Sequence, residues 1–140
     1  MSEDPRTRAA HQFIEALPHS RALSMRVESV AAGTATLSMP WSPDIVGDPA
    51  TGVVHGGAVS ALMDTSGGAA VMSHPEAVGI TATMDLRIDY MRAANPRERI
   101  TATATCFHVT RSVAFVRAEA SDETGLVAVA NGAFTVAARR

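Results

Sequence analysis

Asp64 is the one charged residue in an otherwise uncharged segment that runs from Gly56 to Ser73. The small and apolar residues of this segment predict a helix that is buried on most sides. At about 100° per residue, the face of Asp64 also carries Gly57, Ser60, Ala61, Gly67, Gly68 and Val71. The opposite face is expected to pack in the core and carries Val59, Leu62, Met63 and Ala70.

Two adjacent glycines inside a helix each cost about 1 kcal/mol relative to alanine, so a close approach to this face must explain them. We interpret the small-residue groove around the carboxylate as a ligand site with an acid at its centre. The alternative is that Gly67 and Gly68 serve helix packing, with Asp64 solvated or paired with an arginine.

A second chemical group lies at the start of the same helix. His55, Gly56 and Gly57 follow a loop, so the first N–H groups of the helix have no partner within it. Such a helix start can bind an anion or polarise a carbonyl oxygen. Asp64 lies eight residues beyond Gly56, about 12 Å along the axis at about 1.5 Å per residue. One acyl carbon cannot contact both groups of one helix. Either the two groups are unrelated, or two chains pair with antiparallel helices and form two equal sites.

The remaining sequence predicts the elements that position these groups. Residues 6–17 predict a short helix that Pro18 ends in a turn, and an antiparallel strand pair turns at Gly33. Residues 40–54 predict a long loop. Alternating residues after the buried helix predict four strands in an antiparallel meander, over residues 81–90, 100–106, 113–120 and 126–136. This pattern is typical of an α+β domain whose sheet wraps the one buried helix.

The sequence of the strands makes three specific structural predictions. Alternation places Thr83 on the polar face of its strand, with Asp85 and Arg87. A change of phase near Phe107 predicts a bulge. Residues 131–132 are Asn-Gly, which we interpret as a local kink in one long strand rather than a hairpin turn, because only short flanks would remain.

Composition excludes several classes of protein. The chain has 140 residues, a formal net charge of −2 and 46% hydrophobic residues, so neither disorder nor nucleic-acid binding is expected. The uncharged run over residues 53–63 is too short and polar for a membrane span. The single cysteine, Cys106, excludes a disulfide framework, and the histidines lack metal-ligand spacing. The first residues resemble no secretory signal, so a cytoplasmic protein is expected.

Residues 52–64 read GVVHGGAVSALMD and resemble the G-x-x-H-G-G-x-x-x-x-L-x-D signature of hotdog-fold acyl-CoA thioesterases of the phenylacetate-pathway (PaaI-type) group. Residues 85–91, DLRIDYM, resemble the strand that follows the helix in that family. The likeness runs from about residue 23 to residue 136. It implies a hotdog domain over residues 23–140, preceded by a helix and turn over residues 1–22, and it implies hydrolysis of an acyl- or aryl-acyl-CoA without a metal or redox cofactor.

Carried over residue by residue, the resemblance implies roles for the catalytic groups. Asp64 is the catalytic carboxylate, as general base or as nucleophile. The N–H of Gly56, helped by Gly57, polarises the thioester carbonyl. His55 holds the helix start in place, and Thr83 orients the attacking water.

The resemblance also indicates substrate contacts. Val46, Met63 and Tyr90 are expected to shape an apolar acyl pocket near Trp41, and Ser60 and Gly67 to line the groove. Many family members have Asn or Gln in the loop before the motif, where this chain has Asp48 as the candidate replacement. The CoA phosphates would be held by one or two of five arginines: Arg92, Arg97, Arg111, Arg139 and Arg140.

The expected partners are acyl-CoA and a second copy of the chain. The active sites would lie across the interface of a homodimer, with a tetramer as a dimer of dimers left open, and neither nucleic acid nor membrane is expected as a partner. Two alternatives remain. One is a non-catalytic hotdog module that binds acyl-CoA, and the other is a hotdog dehydratase or hydratase, which would use a catalytic histidine.

Overall fold

The computed structural model describes residues 4–137, in which three α-helices accompany a six-stranded antiparallel sheet and a two-stranded ribbon. The helices are α1 (Pro5–Ala16), α2 (Pro18–Ala22) and α3 (Gly56–Ser73). The strands are β1 (Arg26–Ala31), β2 (Thr34–Met39), β3 (Val46–Asp48), β4 (Val53–Val54), β5 (Thr83–Tyr90), β6 (Ile100–Val109), β7 (Val113–Asp122) and β8 (Gly125–Thr135). The large sheet has the order β1-β2-β6-β7-β8-β5, and β3 and β4 form the ribbon.

The sheet packs around α3 because its inward positions carry mainly small side chains. Alternate residues of the central strands are buried, including Ala102, Ala104, Ala114, Ala118, Ala120, Ala128 and Ala130. Small side chains bring the helix axis close to the sheet, and the bulky helix face of Val59, Leu62 and Met63 fills the space between them. The predicted α+β architecture, with a long helix against an antiparallel sheet and a short N-terminal helix, is confirmed.

The N-terminal segment packs on the core through one face of α1. Pro5 is the first residue of α1, whose N-cap Asp4 accepts a hydrogen bond from the backbone of Arg6. Ala10 and Ile14 are buried, and α1 contacts both α3 and β1. The predicted turn at Pro18 is instead the five-residue helix α2, because proline also suits the first position of a helix. The domain division after residue 22 stays a prediction.

The topology corrects two further expectations. The predicted loop over residues 40–54 contains a 3₁₀ turn (Pro43–Ile45) and the β3–β4 ribbon. The strands β6, β7 and β8 form a meander, but β5 pairs with β8 rather than with β6, because β2 occupies the other edge of β6.

Two predictions about the strands are confirmed. The pairing of β6 with β7 shifts between Cys106 and His108, which makes Phe107 the extra residue of a bulge. Residues 131 and 132 lie inside the continuous strand β8. A Cβ atom on Gly132 would lie 2.8 Å from the carbonyl oxygen of Asp85, so glycine is required where β5 approaches.

Candidate active site

The start of α3 is held in place by His55 and by the preceding ribbon. The Nδ1 atom of His55 accepts a hydrogen bond of 2.8 Å from the N–H of Gly57. The N–H of His55 donates to the carbonyl oxygen of Ile45 at 2.8 Å. A Cβ atom on Gly47 would lie 2.8 Å from the Cα atom of His55, so glycine lets the ribbon pack directly against the helix start.

These bonds leave Gly56 as the available backbone donor. The Gly57 N–H is bonded to His55, whereas the Gly56 N–H donates no hydrogen bond to any residue between positions 4 and 137. The Tyr90 hydroxyl donates to the carbonyl oxygen of Gly56 at 2.9 Å. The first turn of α3 therefore presents one uncommitted N–H group, that of Gly56, and Tyr90 bonds the carbonyl oxygen of the same residue.

Asp64 lies in a groove between α3 and β5. Thr83 Oγ1 donates a hydrogen bond of 2.6 Å to Oδ1 of Asp64. The groove has a volume of about 340 Å³ and is lined by His19, Gly57, Ser60, Ala61, Asp64, Thr65, Thr83, Leu86 and Ile88. Within the described residues, Oδ2 of Asp64 accepts no hydrogen bond, so it can accept one from a water molecule in the groove.

The predicted face of Thr83 was wrong, and a bulge in β5 is the reason. Thr83 pairs with Phe134 and Asp85 with Ala133, so Met84 is an extra residue in β5. From Asp85 onward the alternation is reversed relative to Thr83. Thr83 therefore shares the inward face with Leu86 and reaches the helix, whereas Asp85 stays on the outer face.

One chain does not bring Gly56 and Asp64 to the same cavity. Gly56 lines a separate cavity of about 380 Å³ together with Val53, Val54, Val59, Tyr90, Arg92, Ala93, Ala94 and Val127. Gly56 and Asp64 lie eight residues apart on α3, as the sequence predicts.

The structure corrects two of the expected substrate contacts. Met63 has no exposed surface and belongs to the core, so it cannot form a wall of a substrate pocket in this conformation. Gly67 is also buried, and a Cβ atom there would lie 2.7 Å from Cζ of Phe134. Gly67 therefore serves packing. The neighbouring Gly68 has open space at the Cβ position and lines a smaller adjoining cavity under α1.

The other expected contacts lie at different places. Ser60 lines the Asp64 groove and donates to the carbonyl oxygen of Gly57 at 3.0 Å. Val46 and Trp41 share a third cavity, while Tyr90 lies at the Gly56 cavity. The Asp48 carboxylate accepts hydrogen bonds from Ala50 N and Thr51 Oγ1. It closes its own turn rather than pointing into the groove.

Sequence reasoning missed an apolar extension of the groove under α1. A cavity of about 160 Å³ shares Asp64, Thr65 and Thr83 with the main groove. Its remaining lining consists of Phe13, Ile14, Leu17, Gly68, Met72, Thr81 and Phe134. The apolar residues Phe13, Ile14 and Leu17 were a usable signal, but sequence alone does not tell which part of α3 they cover. His19, which lines the main groove, carried no signal of its own.

The candidate arginines for the CoA phosphates differ in whether they already pair with a carboxylate of the chain. Arg92 donates two hydrogen bonds to the buried carboxylate of Asp122, at 2.8 and 2.6 Å. This pairing holds the pKa of Asp122 well below its usual range and raises the pKa of Arg92. Arg97 and Arg111 are exposed, and Arg139 and Arg140 lie outside the described residues.

Two kinds of feature are absent from residues 4–137. No helix in this part of the chain is long and apolar enough to cross a membrane. The same residues contain no cluster of three or more His, Cys, Asp or Glu side chains placed to hold a metal ion.

Comparison with known proteins identifies the family. A family model described as the Thioesterase superfamily matches residues 51–129. The match spans more than half of the chain and includes the helix start, Asp64 and Thr83. The chain therefore belongs to the thioesterase superfamily, which confirms the class predicted from the sequence.

Individual relatives agree with this assignment. YigI of Escherichia coli K12, a medium/long-chain acyl-CoA thioesterase, is 29% identical over 127 residues, covering 81% of each chain. A crystal structure of a Pseudomonas aeruginosa protein is 38% identical, with a TM-score of 0.81, and the match covers 94% of this chain and 98% of that one. The PaaI protein of E. coli is 21% identical with a TM-score of 0.83, covering 94% and 92%. That last likeness confirms the hotdog fold.

Proposed function

We propose that this protein hydrolyses acyl-CoA thioesters to the free acid and CoA at sites formed by two copies of the chain. Thioester hydrolysis by a hotdog-fold protein agrees with the family to which the chain belongs. The observation that carries the proposal is the 2.6 Å hydrogen bond between Thr83 and Asp64 in an accessible groove. A carboxylate that is oriented through one oxygen and open at the other is suited to act on a water molecule or a thioester.

The proposed site assigns one role to each group. The N–H of Gly56 donates to the thioester carbonyl oxygen and stabilises the negative charge that develops there. His55 accepts a hydrogen bond from the N–H of Gly57, and Tyr90 donates one to the carbonyl oxygen of Gly56. Both bonds hold the peptide that follows the Gly56 donor. Thr83 holds Asp64 in position. Asp48 has no role in this site, because its own turn occupies its carboxylate.

Two chemical routes use the same groups. In the first, Asp64 removes a proton from water, the water oxygen bonds to the acyl carbon, the C–S bond breaks, and the proton passes to the CoA thiolate. In the second, an Asp64 oxygen attacks the acyl carbon and releases CoA thiolate, and water then cleaves the mixed anhydride. Both routes give one molecule of acid and one of CoA.

The two-chain arrangement is supported by the edge strand β5. Among the described strands, β5 pairs with β8 and has no neighbour on its other side. An open edge strand is a template for pairing with another chain. Large apolar side chains are exposed on and beside β5, namely Ile80, Met84, Tyr90 and Met91.

Pairing of two β5 strands about a twofold axis would join the sheets and place the two α3 helices side by side in opposite directions. Gly56 of one chain then lies near Asp64 of the other, whereas within one chain the two groups line different cavities. A tetramer would add a second such dimer without changing the site. Because acyl-CoA is an intracellular thioester, we also propose that the protein acts in the cytoplasm.

Release of free thiol tests the function directly. The purified protein is incubated with acyl-CoA substrates of increasing chain length and with an aryl-acyl-CoA, and a thiol reagent records CoA. We expect turnover with at least one member of the panel. Binding of acyl-CoA without thiol release would instead indicate the non-catalytic module, and hydration of an enoyl-CoA would indicate a hydratase.

A further inference from the structure

A third cavity lies beside the helix start and outside the proposed catalytic groups. Its volume is about 440 Å³, within the range of small-molecule sites. It is lined by Trp41, Pro43, Val46, Pro49, Ala50, Thr51, Gly52, Pro96 and Arg97. Proline and tryptophan surfaces dominate this lining, and Arg97 is the one charged side chain within it.

Trp41 is fixed in this cavity by its polar edge. Its Nε1–H donates a hydrogen bond of 2.8 Å to the carbonyl oxygen of Gly52. Gly52 has a φ of 80°, a value that favours glycine, and it leads through β4 to His55 and Gly56. This hydrogen bond links the indole to the segment that leads to the Gly56 N–H.

Arg97 places a positive charge above this ring. Its guanidinium carbon lies 5.8 Å from the centroid of the indole. Within residues 4–137, Arg97 forms no ion pair with a carboxylate, in contrast to Arg92. Its φ of 66° is a left-handed conformation that arginine rarely adopts. Strained residues of this kind are concentrated at binding sites.

We propose that this cavity binds the adenine nucleotide end of CoA. A flat aromatic and proline surface suits the base, and Arg97 suits a phosphate. The cavity adjoins the ribbon that leads to Gly56, so the pantetheine arm of the same molecule would extend from this cavity to the catalytic groups. The inference rests on the proposed function, because it assumes that the substrate is a CoA thioester.

Free CoA provides a binding test that needs no catalysis. Trp41 is the single tryptophan of the chain, so tryptophan emission, excited selectively over that of Tyr90, reports on this cavity. CoA and adenosine 3′,5′-bisphosphate are both expected to change the Trp41 emission in a saturable way, whereas pantetheine is not. The absence of any change with both nucleotides would overturn the proposal.

Arg97→Gly tests the charge without damaging the fold, because glycine adopts a positive φ at no cost. The KM for acyl-CoA should rise at least about tenfold, as expected for the loss of one charge-assisted hydrogen bond. The kinetics with the corresponding acyl-pantetheine, which lacks the nucleotide, should stay unchanged. Arg26→Ala removes an exposed arginine that does not line the cavity and serves as the control.

The outcomes separate the two proposals. An unchanged KM for acyl-CoA, or an equal loss with acyl-CoA and acyl-pantetheine, would overturn the nucleotide site while hydrolysis itself persisted. Failure of the wild-type protein to hydrolyse either thioester would contradict the proposed function. The fluorescence titration with free CoA would then still decide whether the cavity binds the nucleotide.

Discussion

Thr83 and Asp64 are joined by a hydrogen bond of 2.6 Å across the groove between β5 and α3. The bond exists because β5 contains a bulge at Met84, which turns Thr83 toward the helix. Without the extra residue, the alternation that keeps Leu86 inward would turn Thr83 to the outer face. A local irregularity in an edge strand thus orients the proposed catalytic carboxylate.

We expect Asp64→Asn to lower turnover at least about a hundredfold, because a positioned general base contributes about 10²–10⁴-fold. The fold should persist, since the amide oxygen can still accept the bond from Thr83. Asp85→Asn is the matched control, because it neutralises an exposed carboxylate on the outer face of β5. The measurement is steady-state thiol release. Wild-type turnover in Asp64→Asn would show that the carboxylate is structural.

Thr83→Ala should lower turnover less than Asp64→Asn does, about tenfold, because it removes the orienting bond and leaves the carboxylate. Thr83→Ser keeps the hydroxyl and should retain nearly full activity. Comparison of kcat for the two variants isolates the hydroxyl. Equal losses in both would mean that the hydrogen bond is not the relevant feature.

The adjacent glycines of α3 should respond in opposite ways to alanine. Gly67→Ala places a methyl group against Phe134 and should destabilise the protein, since overpacking a core costs about 1–3 kcal/mol. Gly68→Ala meets open space and should stabilise the helix by about 1 kcal/mol. Thermal unfolding of both variants checks this pair. A lower melting temperature for Gly68→Ala would indicate that a second chain contacts this position, because a single chain leaves it open.

The Arg92–Asp122 pair predicts a specific dependence of stability on pH. Pairing lowers the pKa of Asp122 in the folded state relative to the unfolded value of about 3.9. This stabilisation is therefore complete above about pH 5 and is lost as the pH falls through the unfolded value toward the folded one. Asp122→Asn should lower the free energy of unfolding at pH 7 and flatten its decline below pH 5. Urea unfolding at several pH values measures both effects, and an unchanged slope would exclude Asp122 as the cause.

Sequence patterns predicted most of the architecture because period-two alternation and an uncharged helix are local signals. The bulge at Phe107 was visible because the alternation changes phase inside a long strand. The bulge at Met84 was not, because it lies one residue from the start of β5 and too few residues precede it. The placement of β5 beside β8 depends on which sheet edge is free, and no local pattern contains that information.

The candidate site was predictable to the extent that its groups lie on one helix. The spacing of Gly56 and Asp64 follows from helix geometry. Whether Gly67 or Gly68 is the open glycine depends on where Phe134 packs, 66 residues further along the chain from Gly68. The engagement of Asp48 in its own turn likewise depends on neighbours that spacing does not identify, whereas the burial of Met63 follows from its face of the helix.

The central claim is that each site takes Gly56 from one chain and Asp64 from the other. Gly56→Pro removes the N–H donor. Position 56 tolerates proline because it is the first position of α3. The preceding residue, His55, already has a ψ of 134°, which is the conformation that proline requires of its predecessor. Asp64→Ala removes the carboxylate, so each variant alone should be inactive.

Mixed dimers of these two variants provide the most direct test. The variants are unfolded, combined in equal amounts and refolded together, and thiol release is measured after mixed dimers are confirmed. Random assortment makes about half of the dimers mixed, each with one intact site and one doubly altered site, so about a quarter of wild-type activity should return. Activity that stays at the level of the separate variants, with mixed dimers present, would contradict the shared site.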